Sequence, residues 1–147
     1  FRRVLFRSVG GCKVTELVEG NGTVGVAIVD SNGEKASQDL INKVKAYIET
    51  VRPAGAKVIV STPEIMTITI VVNGVEGTGT VETFKAGLTK YFKKNGFKLN
   101  KVTQADVAKQ LFNAGYTDFA SITLNGQSSS IQLNGKLPKI GSVNING

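Results

Sequence analysis

Apolar residues recur along this chain in two periods, and the switches between the periods mark out its elements. Val24, Val26 and Ile28 alternate with small residues, as in a strand buried on one face. Asp30-Ser31-Asn32-Gly33 is turn chemistry, and Ser37 is placed to cap a following helix. In that helix Leu40, Ile41, Val44, Tyr47, Ile48 and Val51 fall at the i, i+3, i+4, i+7 spacing, while Lys43, Lys45 and Glu49 lie mostly outside the stripe. Pro53 stops the helix because it cannot continue the hydrogen-bond ladder. Gly55 frees the chain to turn, and Lys57 to Val60 restarts as a strand.

A break near Ser61-Thr62-Pro63 separates this unit from a fresh strand, Ile65 to Val72. Thr80 then caps a helix whose Val81, Phe84, Leu88, Tyr91 and Phe92 form one apolar stripe, with Asn95-Gly96 expected as its stop. Thr103 and Asp106 stand at capping-box spacing, Val102 and Val107 are placed for a hydrophobic staple, and Gly115 ends this last helix. Ile122-Thr123-Leu124, Ser130 to Leu133 and Gly141 to Ile145 alternate as strands, separated by turns such as Asn125-Gly126 and Asn134-Gly135. The fold class is α+β: two small α/β-type domains, a β-β-α-β unit over 9–62 followed by a β-α-α-β-β-β domain over 63–147. Helices are expected to cover one sheet face.

The run VAIVDSNG, followed by a helix ending in VRPAGAKV, resembles the baseplate J-like family of contractile-tail phages and related injection machines. The later order of elements, with VTQADVAKQLFNAGYTDF, a SITLNG strand and a closing LPKIGSVNI, is similar to the C-terminal half of such proteins. The likeness extends over about Val14 to Ile145 and rests on structural residues, without a catalytic signature. It implies a truncated central domain over 9–62, a C-terminal domain over 63–147, and a structural wedge subunit of a tail baseplate. It also implies partners that are other baseplate subunits and copies of the same chain, and a location in a virion or phage-like tail assembled in the bacterial host cytoplasm.

The first eight residues stand apart. FRRVLFRS is the translation of TTC AGA CGT GTG CTC TTC CGA TCT, which resembles a common sequencing adapter, so residues 1–8 are expected to be non-native and the natural residues upstream of Val9 to be missing. This changes the charge. Of 18 Lys+Arg, Arg2, Arg3 and Arg7 belong to the segment, leaving 15 against 11 Asp+Glu, or +4 in place of +7. Arg52 is then the one arginine, whereas phosphate recognition favours the bidentate guanidinium fork. No apolar run approaches the roughly 20 residues of a membrane span, so no membrane partner is expected.

Candidate chemistry is sparse. The chain has no histidine, which removes the commonest general base and metal ligand together. Cys12 has no second cysteine to pair with and is expected to fill a small apolar space. Asp30-Ser31-Asn32-Gly33-Glu34 superficially resembles a calcium loop but lacks its full ligand spacing, so it reads as an Asx turn. Glu16 and Glu19 share a neighbourhood with Asp30, without anything that sets an acid and a base in a cleft. Gly20-Asn21-Gly22 and the segment Gly74 to Gly79 lack the endings of phosphate loops and read as hairpins or loops, Gly77-Thr78-Gly79 as a mobile one. No catalytic residue, cofactor, metal or small-molecule substrate is expected.

One surface feature remains. Lys85, Lys90, Lys93, Lys94, Lys98 and Lys101 cluster with no acid between positions 83 and 105. Such a cluster is a solvated helix face, a seat for an acidic protein, or a nucleic-acid contact. The scarcity of arginine and the lack of an aromatic platform weigh against nucleic acid. These six lysines are the candidate interface of a non-enzymatic assembly protein. The alternative is a small nucleic-acid- or ligand-binding α+β module.

Overall fold

A computed structural model describes residues 7–16 and 19–147, so the adapter expectation for residues 1–6 lies outside the described residues. The chain divides into two compact units, one ending at Glu64 and one spanning Ile65–Gly147. Both mix helices with small sheets, in agreement with the α+β class.

The first unit runs β1 (Val9–Glu16), β2 (Thr23–Asp30), α1 (Gln38–Val51) and β3 (Lys57–Ser61), the β-β-α-β order of the sequence pattern. β2 is central, antiparallel to β1 and parallel to β3, with α1 as the crossover. Val26, Ile28, Leu40 and Val44 are buried between sheet and helix, joined by Val9 and Ala36. The Ser37 hydroxyl accepts from Leu40 N at 3.2 Å, capping the helix as its position implied. Val51 departs from expectation: it is 60% exposed, because it is the last helical residue and lies beyond the reach of the sheet.

The turn residues have definite tasks. Asp30 Oδ1 accepts from Asn32 N and Glu34 N at 2.8 and 2.9 Å, so VDSNG is an Asx turn that holds the chain between β2 and α1. At the other end of α1, the Arg52 guanidinium pairs with Glu49 at 2.6 Å and donates to the Ala56 carbonyl, closing the RPAG corner. Gly10 sits where β1 slips register, and a Cβ there would lie 2.0 Å from Asp30 O. Only the bare backbone fits.

The second unit is built on β4 (Ile65–Asn73), β8 (Ser121–Leu124) and β10 (Leu137–Asn146), in the order β10-β4-β8. β4 is parallel to β10 and antiparallel to β8. Helix α2 (Val81–Asn95) packs on β10, and α3 (Gln104–Asn113) packs on α2 and β8. Ile68, Ile70 and Val72 alternate inward along β4 and meet Phe84, Leu88 and Phe92 of α2 and Val107 and Leu111 of α3, all buried. Both expected caps form: Thr80 accepts from Thr83 N, and Thr103 with Asp106 makes a reciprocal capping box.

Three details differ from the sequence expectation. The closing strand starts at Leu137 rather than Gly141, and a bulge between Ile140 and Val143 absorbs one residue so that both side chains pair inward with Ile68 and Ile70. Asn95-Gly96 does not reverse the chain: Gly96 stays right-handed at φ −54° and opens a 3-10 turn, Gly96–Lys98, and a Cβ on it would lie 3.0 Å from Pro138 Cδ. Only Ile131–Gln132 (β9) of the Ser130 to Leu133 run is strand, paired with β6 (Lys101–Val102).

The glycine segment after β4 is not a free loop. Glu76–Gly77 (β5) pairs with Tyr116–Asp118 (β7), and Thr78 N donates to Gly115 O. A Cβ on Gly77 would lie 2.7 Å from Gly115 O and one on Gly79 2.5 Å from the Tyr116 ring, so these glycines exist for close approach.

Candidate assembly surface

Residues with catalytic potential are dispersed. In the antiparallel register Glu16 faces Val24 while Asp30 faces Val9, so these acids stand at opposite ends of the β1-β2 pair. Glu19 is tied to Lys57 at 3.0 Å. Cys12 is exposed, contrary to its expected place in an apolar space, because α1 covers β2 and β3 and leaves the helix-side positions of β1 open. Val14, two residues on, is 57% exposed for the same reason. Among the described residues no group of three His, Cys, Asp or Glu could hold a metal, and no helix is long and apolar enough to cross a membrane.

A shallow depression of about 360 Å³ lies on the second unit, lined by Gln104, Ala105, Ala108, Phe119, Ile122 and Ser128 among others. The Gln104 amide donates to Ile122 O at 2.6 Å, and no lining side chain is titratable. It offers shape and apolar surface. Beside it, Phe112 is 48% exposed and stacks obliquely on Phe119 with ring centroids 5.8 Å apart. This pair was not singled out from sequence, although the signal exists: Phe112 falls off the Val107, Leu111 stripe.

The six lysines lie on consecutive elements. Lys85, Lys90, Lys93 and Lys94 are on α2, Lys98 closes the 3-10 turn and Lys101 opens β6, and all six are exposed. On a helix of 3.6 residues per turn, Phe84, Leu88 and Phe92 form the inward rungs; Lys90, Lys93 and Lys94 project from the opposite side, and Lys85 from the flank. Lys93 and Lys94 also lie in the last turn, where cations complement the helix dipole. Tyr91 and Phe97 between them are half-buried, short of the full burial of Phe84 and Leu88.

One acid of the second unit, Asp106 at the start of α3, is already engaged. Asp106 accepts from Thr103 N at 3.1 Å while its own N–H donates to the Thr103 hydroxyl at 3.1 Å, completing the capping box. Burial first, and then the Asp106 charge and hydrogen bond, push the Tyr91 pKa above its ordinary value of 10.0. The first unit holds the ion pairs Lys35–Glu64, Lys43–Asp39, Arg52–Glu49 and Lys57–Glu19. Among the described residues Lys85, Lys90, Lys94, Lys98 and Lys101 have no carboxylate within pairing distance.

Comparison with known proteins gives this surface a setting. Residues 3–62 match the family model of the baseplate J-like central domain, a match that begins inside the segment read as adapter. The Bacillus subtilis (strain 168) protein YqbT is 32% identical over 151 residues, covering 93% of this chain and 43% of YqbT. The phage-like element PBSX protein XkdT of the same organism is 30% identical, with the same coverage. The chain thus spans less than half the length of these relatives. A cryo-EM structure of the anti-feeding prophage baseplate contains a chain of similar fold, with a TM-score of 0.62 over 97% of this chain and 35% of that one, at 8% identity. Residues 3–62 of this chain thus belong to the baseplate J-like central-domain family, and the chain as a whole is similar to these Bacillus subtilis relatives.

Proposed function

We propose that this protein is a structural component of the baseplate of a phage-like contractile tail, a wedge subunit that acts through protein–protein assembly and catalyses no reaction. The observation that carries the reading is the baseplate J-like central-domain match over residues 3–62, supported by the fold shared with a baseplate chain. The distribution of its side chains is in keeping with it. Rigid α+β units present exposed lysines and aromatic residues, while no constellation of acid, base and nucleophile converges on the described depression. Its partners are other baseplate subunits and copies of itself, and its place is the tail baseplate of a particle assembled in the host cytoplasm.

Immuno-electron microscopy of particles purified from a strain that carries the full-length gene tests this. Label is expected at the baseplate end of the tail, and deletion of the gene is expected to abolish complete tails. Complete tails that lack the protein would sink the proposal.

A further inference from the structure

We infer that the exposed face formed by α2, the 3-10 turn and the start of β6, with Lys90, Lys94, Lys98 and Lys101 at its centre, docks on an acidic face of a neighbouring protein in the assembly. The inference rests on the structural reading above and adds the chemistry of one partner surface.

Charge is its first support. Residues 65–147 carry nine lysines and no arginine against Glu76, Glu82, Asp106 and Asp118, a net +5, whereas residues 1–64 carry nine basic and seven acidic residues, a net +2; together these make the +7 of the chain. The excess is not spread evenly. From Lys85 to Lys94 the axis of α2 rises roughly 14 Å, and this length holds four of the nine lysines and no acid. Like charges so placed repel one another unless an outside anion neutralises them, so the face favours a partner of opposite sign.

The second support is the state of the local acids. Asp106 is held in the capping box by Thr103 N at 3.1 Å, and Asp118 accepts from Phe119 N at 2.8 Å. The first unit, by contrast, pairs four of its own cations with its own carboxylates. Among the described residues, compensation within the chain is therefore available to one unit and is not used by Lys90, Lys94, Lys98 or Lys101 of the other.

The chemistry favours protein carboxylates over a nucleic-acid backbone. Nine cations drawn only from lysine lack the bidentate fork that suits phosphate, while ammonium groups on long stems meet carboxylates from many angles. Phe97, half-buried in the turn next to Lys98, adds an apolar spot within a charged rim, as protein interfaces do.

The test uses intact particles and the full-length protein. Zero-length carbodiimide coupling, read by mass spectrometry, is expected to join Lys90, Lys94 or Lys98 to Asp or Glu of another particle protein. A Lys90→Glu, Lys94→Glu, Lys98→Glu variant is expected to enter particles at a level about tenfold lower, and the corresponding Lys→Gln variant at an intermediate level, with unfolding midpoints of the purified proteins unchanged. Incorporation of the Glu variant at the wild-type level, or coupling confined to the chain itself, overturns the inference and leaves the baseplate reading intact. Binding of a short DNA duplex at low salt by the wild type but not the Glu variant, without protein coupling, assigns the face to nucleic acid and also overturns it. Wild-type protein absent from particles removes the baseplate reading, and the inference with it.

Discussion

The two units of this chain handle charge and apolar surface in opposite ways. The first has a six-residue buried core under a single helix and pairs four of its cations with its own carboxylates. The second has a fifteen-residue buried core between its main sheet and two helices, and among the described residues leaves Lys85, Lys90, Lys94, Lys98 and Lys101 without a carboxylate partner. Burial of a large side chain contributes about 1.5–3 kcal/mol, whereas an exposed ion pair contributes about 0–1. Ion pairs therefore do not make up for a thin core, and the second unit is the one able to leave its charge for a partner.

The largest effect that separates the units is truncation of their cores. Phe84→Ala removes a fully buried ring that touches sheet and helix and is expected to cost about 3–5 kcal/mol; Leu40→Ala, at a site 8% exposed, should fall near the lower end of about 2–5. Denaturant unfolding followed by circular dichroism reads both, and a Leu40→Ala cost above that of Phe84→Ala would break the comparison.

A smaller effect tests how tightly the second unit closes on itself. Gly77→Ala places a Cβ 2.7 Å from Gly115 O at a φ of +112°, and is expected to cost about 1–3 kcal/mol. Gly126→Ala, at a turn tip with nothing within 4 Å, serves as the control for backbone strain alone. Equal midpoints for the two variants would mean that the β5-β7 contact contributes little.

The smallest effect belongs to the paired charges. Asp39→Asn breaks an i,i+4 pair whose side chains are 66% and 77% exposed, so the unfolding free energy should change by less than about 0.5 kcal/mol and added salt should erase even that. A larger, salt-resistant loss would show that ion pairing does hold the first unit together.

Much of the fold was legible before any coordinates. Leu40 and Val44, then Phe84, Leu88 and Phe92, announce their helices by spacing, and Ser37, Thr80 and Thr103 with Asp106 announce where those helices start. The exceptions share a cause. Gly96, Gly77 and Cys12 were judged by local habit, as a helix stop, a loose loop and a small filler, but Pro138, Gly115 and the limited reach of α1 decide their surroundings, and those lie far off in sequence or outside the local pattern. The lysine cluster was visible as a run of residues. Its exposure, and the engagement of Asp106 elsewhere, were not.

By itself the sequence determined the periodic elements, their caps, the α+β class and the family likeness, because each depends on neighbours a few residues apart. Tertiary structure alone decided which glycines are crowded, how one bulged residue keeps both Ile140 and Val143 inward, and which cations have no partner. Those outcomes depend on distances between segments remote along the chain, and local spacing carries no information about such distances.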